Sequence, residues 1–416
     1  MPELSTASPR IDDASAIPRH RVLLLTLTIT SSLGMVASTI YVPSIPAIAA
    51  ALGTSIARVQ LTFVGYLLAF AASMLVLGPL SDRYGRRRTI ICGLALSAIS
   101  SVACAVSPTI DFLIAARVVQ GIGACAGLVV GRAVTREVWG RKAAAQVIAG
   151  RAIAATLMQA FAPVLGGYLQ DWFGWRCNFV VIAVIACIAM ALVTRYVPEA
   201  RTATAARSRT GGMLANYRTL LGTRRFLSYA FTAAGSHAGF HIFAAGAPAV
   251  LIVGFGIRPE DYGFYASLPP MGFLVGSFIS NRLTQRLGVD GLIAIGGTVL
   301  IPAASIMVTL ALLGVASPYA VIGPMILICC GSGLITPNAT AGCLGVNAGI
   351  VGTASGLGSF IQMTGAAGAT ALLSLGPSGS PLMLACIIAL VGLVAVTAFG
   401  SLIQLDHRPV PAAATA

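Results

Sequence analysis

Charge is scarce in this sequence. Of 416 residues, 9% are Asp, Glu, Lys or Arg and 57% are hydrophobic. A soluble chain of this size needs far more charge to cover its surface, so lipid is the solvent to assume. Acids are rarer still: the twelve are Glu3, Asp12, Asp13, Asp82, Asp111, Glu137, Asp171, Glu199, Glu260, Asp261, Asp290 and Asp406, and none falls in the middle of an apolar run. Metal-type cysteine spacing is absent too. The nine cysteines include Cys92, Cys104, Cys125, Cys329, Cys330, Cys343 and Cys386 inside apolar runs, with no C-x-x-C, and read as small apolar fillers. His237 and His241 lack the glutamate of H-E-x-x-H, which argues against a zinc protease. No motif calls for a metal or a cofactor. The N-terminus is polar up to Arg21, and the first apolar run has no small-residue cleavage site, which argues against a removed leader.

What is present is apolar sequence in long runs. A helix crosses hydrocarbon with roughly 20 apolar residues. Runs near 22–42, 57–77, 89–107, 110–131, 144–167, 177–197, 226–254, 262–281, 291–314, 318–340, 350–374 and 379–403 predict twelve spans, hence an all-α membrane protein. The longest polar stretch carries Arg201, Arg207, Arg209, Arg218, Arg224 and Arg225 and parts six spans from six. The predicted organisation is a tail at 1–21, a six-helix half at 22–197, a central loop at 198–225, a second half at 226–403 and a tail at 404–416. The net charge of +14 would raise nucleic-acid binding in a soluble protein, but here position removes that reading. Arg58, Arg176 and Arg258 are the basic residues of one side, Arg117 and Arg151 fall within spans, and the others lie in tails and loops of the opposite side. The positive-inside rule makes that side, with both termini, cytoplasmic.

The halves echo each other. SDRYGRRRTIICG at 81–93, between spans 2 and 3, resembles SNRLTQRLGVDGLIAIG at 280–296, between spans 8 and 9, with Asn281 where the first copy has Asp82. Duplicated six-helix halves with a site at their interface are a transporter architecture.

The stretch Gly78-Pro-Leu-Ser-Asp-Arg-Tyr-Gly-Arg-Arg-Arg88 joins spans 2 and 3 in few residues. Gly78 and Gly85 permit tight turning and close helix approach; Arg83, Arg86 and their neighbours can reach lipid phosphates and helix carbonyl ends. Asp82 could hold a helix start, or an arginine across the seam between halves. This stretch resembles the signature loop of the major facilitator superfamily, G-x-L-a-D-r-x-G-r-r. Arg117-Val-Val-Gln-Gly-Ile-Gly123 in span 4 is similar to that superfamily's second motif, and Ala162-Pro-Val-Leu-Gly-Gly167 in span 5 to the antiporter motif G-P-x-x-G-G of drug exporters, with alanine in the first place. Tyr41-Val-Pro-Ser-Ile-Pro46, Phe173-Gly-Trp-Arg176, Ala245-Gly-Ala-Pro248 and Thr336-Pro-Asn-Ala-Thr340 look like the bicyclomycin/chloramphenicol-resistance (Bcr/CflA) branch. The similarity runs from about residue 22 to 403.

The resemblance implies a twelve-helix, two-half fold in a bacterial inner membrane. It also implies export of small amphipathic, drug-like compounds in exchange for protons by alternating access, for which one chain suffices. It implies proton coupling by Arg117 and a leak-tight outer seam at Pro163, Gly166 and Gly167. Pro163 is expected to bend span 5, and the two glycines to let another helix in. An unpaired Arg117 would cost several kcal/mol in hydrocarbon, so it should face protein or a wet cavity. Asp111, six residues earlier, is far along the helix for a direct pair. Arg151 could snorkel to the interface. Where many members of the branch carry an aspartate in span 1, this chain has Thr39. The remaining groups able to exchange a proton near neutral pH are His237 and His241, four apart on one face of span 7. They bear on coupling or substrate contact, on structure as hydrogen-bonding residues, or on a metal. Tyr41 and Gln362 come from spans that line the cavity in this superfamily; Ser32, Gln60, Tyr66, Gln159 and Asn338 are further polar candidates, each also readable as a helix-to-helix hydrogen bond.

Two other readings stand beside export. The missing membrane acid fits a uniporter or importer of a metabolite, against which the span 5 motif argues. A membrane enzyme would need a nucleophile with its base, or a metal cluster, and the sequence offers neither.

Overall fold

The structure, a computed structural model, describes residues 16–199, 210–347, 350–377 and 379–406. Among these the chain is helix joined by short turns, with no strand. Ten helices among the described residues are long and apolar enough to cross a membrane. One of them, Pro259–Leu312, breaks at Gly288 (φ 70, ψ 174) into two spans, and Val351–Leu373 adds another. In chain order, span 1 is Ala16–Thr39, span 2 Ile56–Tyr84, span 3 Arg86–Ala105, span 4 Ile110–Gly140, span 5 Gln146–Phe173 and span 6 Arg176–Tyr196. Span 7 is Arg224–Pro248, continued by a π-turn at Ala249–Gly254; spans 8 and 9 flank Gly288; span 10 is Pro318–Gly345, span 11 Val351–Leu373 and span 12 Pro381–Asp406. Part of the expected central loop is helical, at Thr210–Gly222, and span 1 begins inside the expected tail. Residues 1–15, 200–209 and 407–416 of the expected tails and loop lie outside the described residues.

Local chemistry sets the ends. The Ser55 hydroxyl accepts from the Arg58 amide and the Thr109 hydroxyl from the Phe112 amide, both at 3.3 Å, capping spans 2 and 4. Pro259, Pro318 and Pro381 lead spans 8, 10 and 12, where a missing N–H costs nothing. Gly85 (φ 97), Gly140 (φ 69) and Gly288 (φ 70) turn one span into the next in the left-handed region that strains any side chain. Pro163, expected to bend its span, sits inside continuous helix; the non-helical residue of that stretch is Gly140.

Ion pairs fix the up-and-down order. Arg58 meets Asp111 at 2.5 Å, so spans 2 and 4 start at one end. Arg86 meets Glu137 at 3.0 Å, so span 3 starts where span 4 finishes, at the basic end of the bundle.

The repeat is visible in packing. A Cβ on Gly93 would come 2.9 Å from the Gly123 carbonyl oxygen, and one on Gly123 2.6 Å from that of Gly93. Gly296 and Gly331 stand in the same reciprocal relation, at 2.8 Å each way. The first pair locks span 3 to span 4 and the second locks span 9 to span 10, the corresponding place in each half. Gly93 and Gly296 close the two echoing segments, and each lies eight residues after a left-handed glycine, Gly85 or Gly288.

Candidate functional site

Arg117 is fully buried and points into the first half, not toward the second. Its Nη1 donates to the Ala37 carbonyl at 3.0 Å and to Gln120 Oε1 at 2.5 Å. Span 1 ends at Thr39, so Ala37 offers one of the carbonyls that no helical N–H can reach, at the negative end of the helix dipole. The guanidinium lies 4.3 Å from the ring centre of Tyr41 and 4.2 Å from that of Tyr66. Cation–π contact with two desolvated rings is worth about 2 kcal/mol or more. Both phenols are engaged elsewhere: Tyr41 Oη with Thr62 Oγ1 at 2.9 Å, Tyr66 Oη with the Gly34 carbonyl at 2.6 Å. Spans 1, 2 and 4 are thereby tied around a cation that has no acid, and its Nε and Nη2 have no partner. Asp111 is engaged by Arg58.

Thr39 occupies the seam. Pro163 has no N–H for the carbonyl of Gln159, four residues back, and that carbonyl accepts from Thr39 Oγ1 at 3.4 Å. An aspartate here would set its charge against a carbonyl oxygen. Gly166 then meets span 1, where a Cβ would land on the Ile40 carbonyl, and Gly167 meets span 8, where it would land on that of Pro259. From the other side Gly263 fits against Pro163 and Val164. The rings of Tyr168 and Phe264 cross edge to face at 6.3 Å. Span 7 reaches the same seam: beyond Pro248 the Ala249 amide turns to the Gly246 carbonyl, and the Ala245 carbonyl accepts from Gln60 Nε2 at 3.1 Å. The contacts here that cross between halves, Gly167 with Pro259, Gly263 with Pro163 and Val164, Tyr168 with Phe264 and Gln60 with Ala245, gather at the end away from Arg86. Beneath them is a small cavity of about 10 Å3, room for about one water, lined by Thr39, Gln159, Pro163, Phe240, Phe243 and Tyr262.

His237 and His241 face each other, Nε2 to Nε2, at 3.2 Å. His241 touches Phe63 of the first half, ring centres 6.0 Å apart, and Phe240 at 5.6 Å. Gln362 donates to Thr340 Oγ1 at 3.3 Å.

The signature loop forms a network inside the first half. Asp82 pairs with Arg86 one turn on, and Arg86 also donates to Ser81 Oγ at 2.5 Å and to Glu137. Arg83 lies over the Tyr84 ring at 5.4 Å and Arg87 caps the Thr194 carbonyl of span 6. The expected reach of Asp82 across the seam is therefore not made in this arrangement, and nothing lies within 4 Å of a Cβ on Gly78. Arg151, expected to snorkel, is 5% exposed and turns inward. It bonds the Leu27 carbonyl at 2.8 Å, that of Gly131 at 3.0 Å, and the hydroxyls of Ser31 and Thr135. Gly131 makes the room, since a Cβ there would lie 2.8 Å from Arg151 Nη2.

The structure thus brings Thr39, Pro163, Gly166 and Gly167 to one seam, the histidines beside it, Arg117 and Tyr41 inside the first half, and the signature loop at the far end. Sequence reasoning missed Phe63, Phe240, Phe243, Tyr262 and Gly263, which become visible only once the helix rotations are set.

A family model described as Major Facilitator Superfamily matches residues 27–370. Over 394 residues the chain is 27% identical to multidrug resistance protein D of Escherichia coli (strain K12), covering 94% of this chain and 99% of that one. It is 26% identical over 321 residues to the chloramphenicol resistance protein of Pseudomonas aeruginosa, covering 77% and 74%. In fold it resembles the crystal structure of a D-xylose-proton symporter, with TM-score 0.73 at 13% identity over 90% of this chain and 97% of that one.

Two outcomes follow from the geometry. In a cysteine-free background, cysteines at Tyr168 and Phe264 cross-link, and adding Gly167→Leu, which cannot sit against Pro259, cuts the yield at least twofold; an unchanged yield refutes the seam. Arg117→Met leaves the Ala37 carbonyl and Gln120 unpaired and costs about 2 kcal/mol, read as a lower thermal midpoint of the purified protein, while Arg117→Lys retains part of it.

Proposed function

The chain belongs to the Major Facilitator Superfamily, and on that footing we propose that it is a secondary active exporter of small amphipathic, drug-like compounds, exchanged for protons by alternating access. One observation carries the reading: Gly167 and Gly263 let spans 5 and 8 seal the halves at the end away from the basic loop. With the basic end cytoplasmic and both termini on that side, the seal is the outer one, and this arrangement takes its cargo from the cytoplasm and inner leaflet, where such compounds collect. Gly78 is bare in this arrangement and free to receive a neighbouring helix when the halves rock the other way. The relatives named for multidrug and chloramphenicol resistance support a drug-like cargo.

Antiport requires that proton and cargo compete for one state. A proton moving inward across about 100 mV supplies roughly 2.3 kcal/mol. The candidate coupling groups are Arg117, His241 and His237, with Thr39, Tyr41 and Gln362 as candidate cavity contacts; the chain works as a monomer in the bacterial inner membrane, among lipids its loop arginines can touch. A second reading has one observation in its favour: with no acid mid-span, a facilitator of an endogenous metabolite needs no proton site.

The test uses inside-out vesicles with an acidic interior and a pH-sensitive dye. Chloramphenicol, ethidium and norfloxacin serve as neutral, cationic and zwitterionic probes. Proton efflux on adding a probe, absent from vesicles without the protein, is the expected result; labelled probe equilibrating with no proton movement makes the protein a facilitator.

A further inference from the structure

Span 7 holds two imidazoles in unequal surroundings. His237 is half-buried, whereas His241 is 1% exposed and its Nδ1 has no partner. Their Nε2 atoms are 3.2 Å apart. A bridge between two such nitrogens needs one N–H and one lone pair, so the pair is built to hold a shared hydrogen and to take up one more.

The elements packed on span 7 bring no carboxylate to this pair. Span 2 presents Phe63, and Gln60 is spent on Ala245. Ser332 and Thr336 of span 10 are spent on Ser236. By sequence, span 11 and Val42–Ser44 have no titratable side chain; span 10 carries Tyr319 and three cysteines, and span 12 carries Cys386 and the terminal Asp406. Tyr262 of span 8 is on the cavity wall, with Glu260, Asp261 and Tyr265 beside it in sequence, and Tyr217 and Arg218 belong to Thr210–Gly222. Asp290 of span 9 is bound by Tyr229 Oη at 2.7 Å, about two turns nearer the basic end. The two rings are the titratable groups that face each other.

We propose that His237 and His241 jointly carry the exchanged proton, His237 as the entrance and His241 as the buried seat, in place of the missing membrane acid. The assignment rests on the antiport reading above. With His237 donating the bridge, a proton taken up by His237 Nδ1 releases the bridging hydrogen to His241 Nε2. The charge then rests on His241 and His237 is neutral again. In this arrangement Phe63 of the first half covers His241, so the pair is reached past His237; parting the halves at Phe63 uncovers His241 from the other side. Phe240 and Phe243 wall the adjoining cavity. An apolar cargo lodged against them strips water from an imidazolium beside it and favours proton loss, which is the competition antiport needs.

The test compares wild type with His237→Gln, His241→Gln and the double variant in proteoliposomes, using whichever vesicle probe is transported. Each variant is expected to lose proton-driven probe accumulation at least tenfold while probe counterflow, which needs a folded carrier but no proton, stays within twofold. Variants that accumulate probe like a coupled wild type, with the same pH profile, overturn the assignment and leave antiport standing. A wild type that moves probe without protons overturns antiport and this role with it. Independently of any cargo, ring-labelled histidine NMR of the full-length protein should show both imidazole signals moving together as the pH is lowered from neutral into the acid range, with His237→Gln shifting the His241 titration; signals that stay fixed overturn the proposal.

Discussion

In hydrocarbon every backbone carbonyl and every charge must find its partner inside the protein, and this chain meets that demand almost without acids. Arg117 is received by the carbonyl left open at the end of span 1 and by two tyrosine faces. Arg151 is received by carbonyls of spans 1 and 4 and two hydroxyls. Thr39 takes the carbonyl that Pro163 frees, and Gln60 takes one near Pro248. Cations and prolines, each costly alone, are set where the other elements have unfilled acceptors.

The placement of these bonds divides the molecule. Those of Arg117, Arg151 and the Asp82–Arg86–Glu137 network stay within the first half and make it a stiff unit. Those between halves are weak, a glutamine bond, the ring contacts Tyr168–Phe264 and Phe63–His241, and glycine surfaces with no side chain to interlock. A seam of that kind can part without stranding a buried charge, which a rocking transporter requires. The reciprocal glycine pairs Gly93–Gly123 and Gly296–Gly331 show the same economy on both sides, helices locked by backbone approach rather than by ions.

Much of this was legible in the sequence. Apolar run lengths, the arginine-rich break before span 7 and the loop at 78–88 sufficed for twelve helices in two halves. Glycine and proline motifs located the seam, because their physics is local. Side-chain partners were not legible, since they depend on helix rotation. Arg117 could have faced the central cavity, yet turns into its own half, and Arg151 could have snorkelled, yet is seated against Gly131. Pro163 signalled a bend, but the freed Gln159 carbonyl is answered by Thr39, a long-range partner no local pattern encodes. The histidine spacing foretold one shared face; that one ring is wetter than the other, and that Phe63 covers the drier, came only with the packing.

The central claim is that two internally satisfied halves rock about a seam they hold weakly. Spin-label distances test it, with labels at each end of each half, read while the pH is stepped and a transported probe is added. The account predicts that distances within a half stay fixed, whereas those between halves change in opposite senses at the two ends. Distances within the first half that change, or two ends that open and close together, would contradict it.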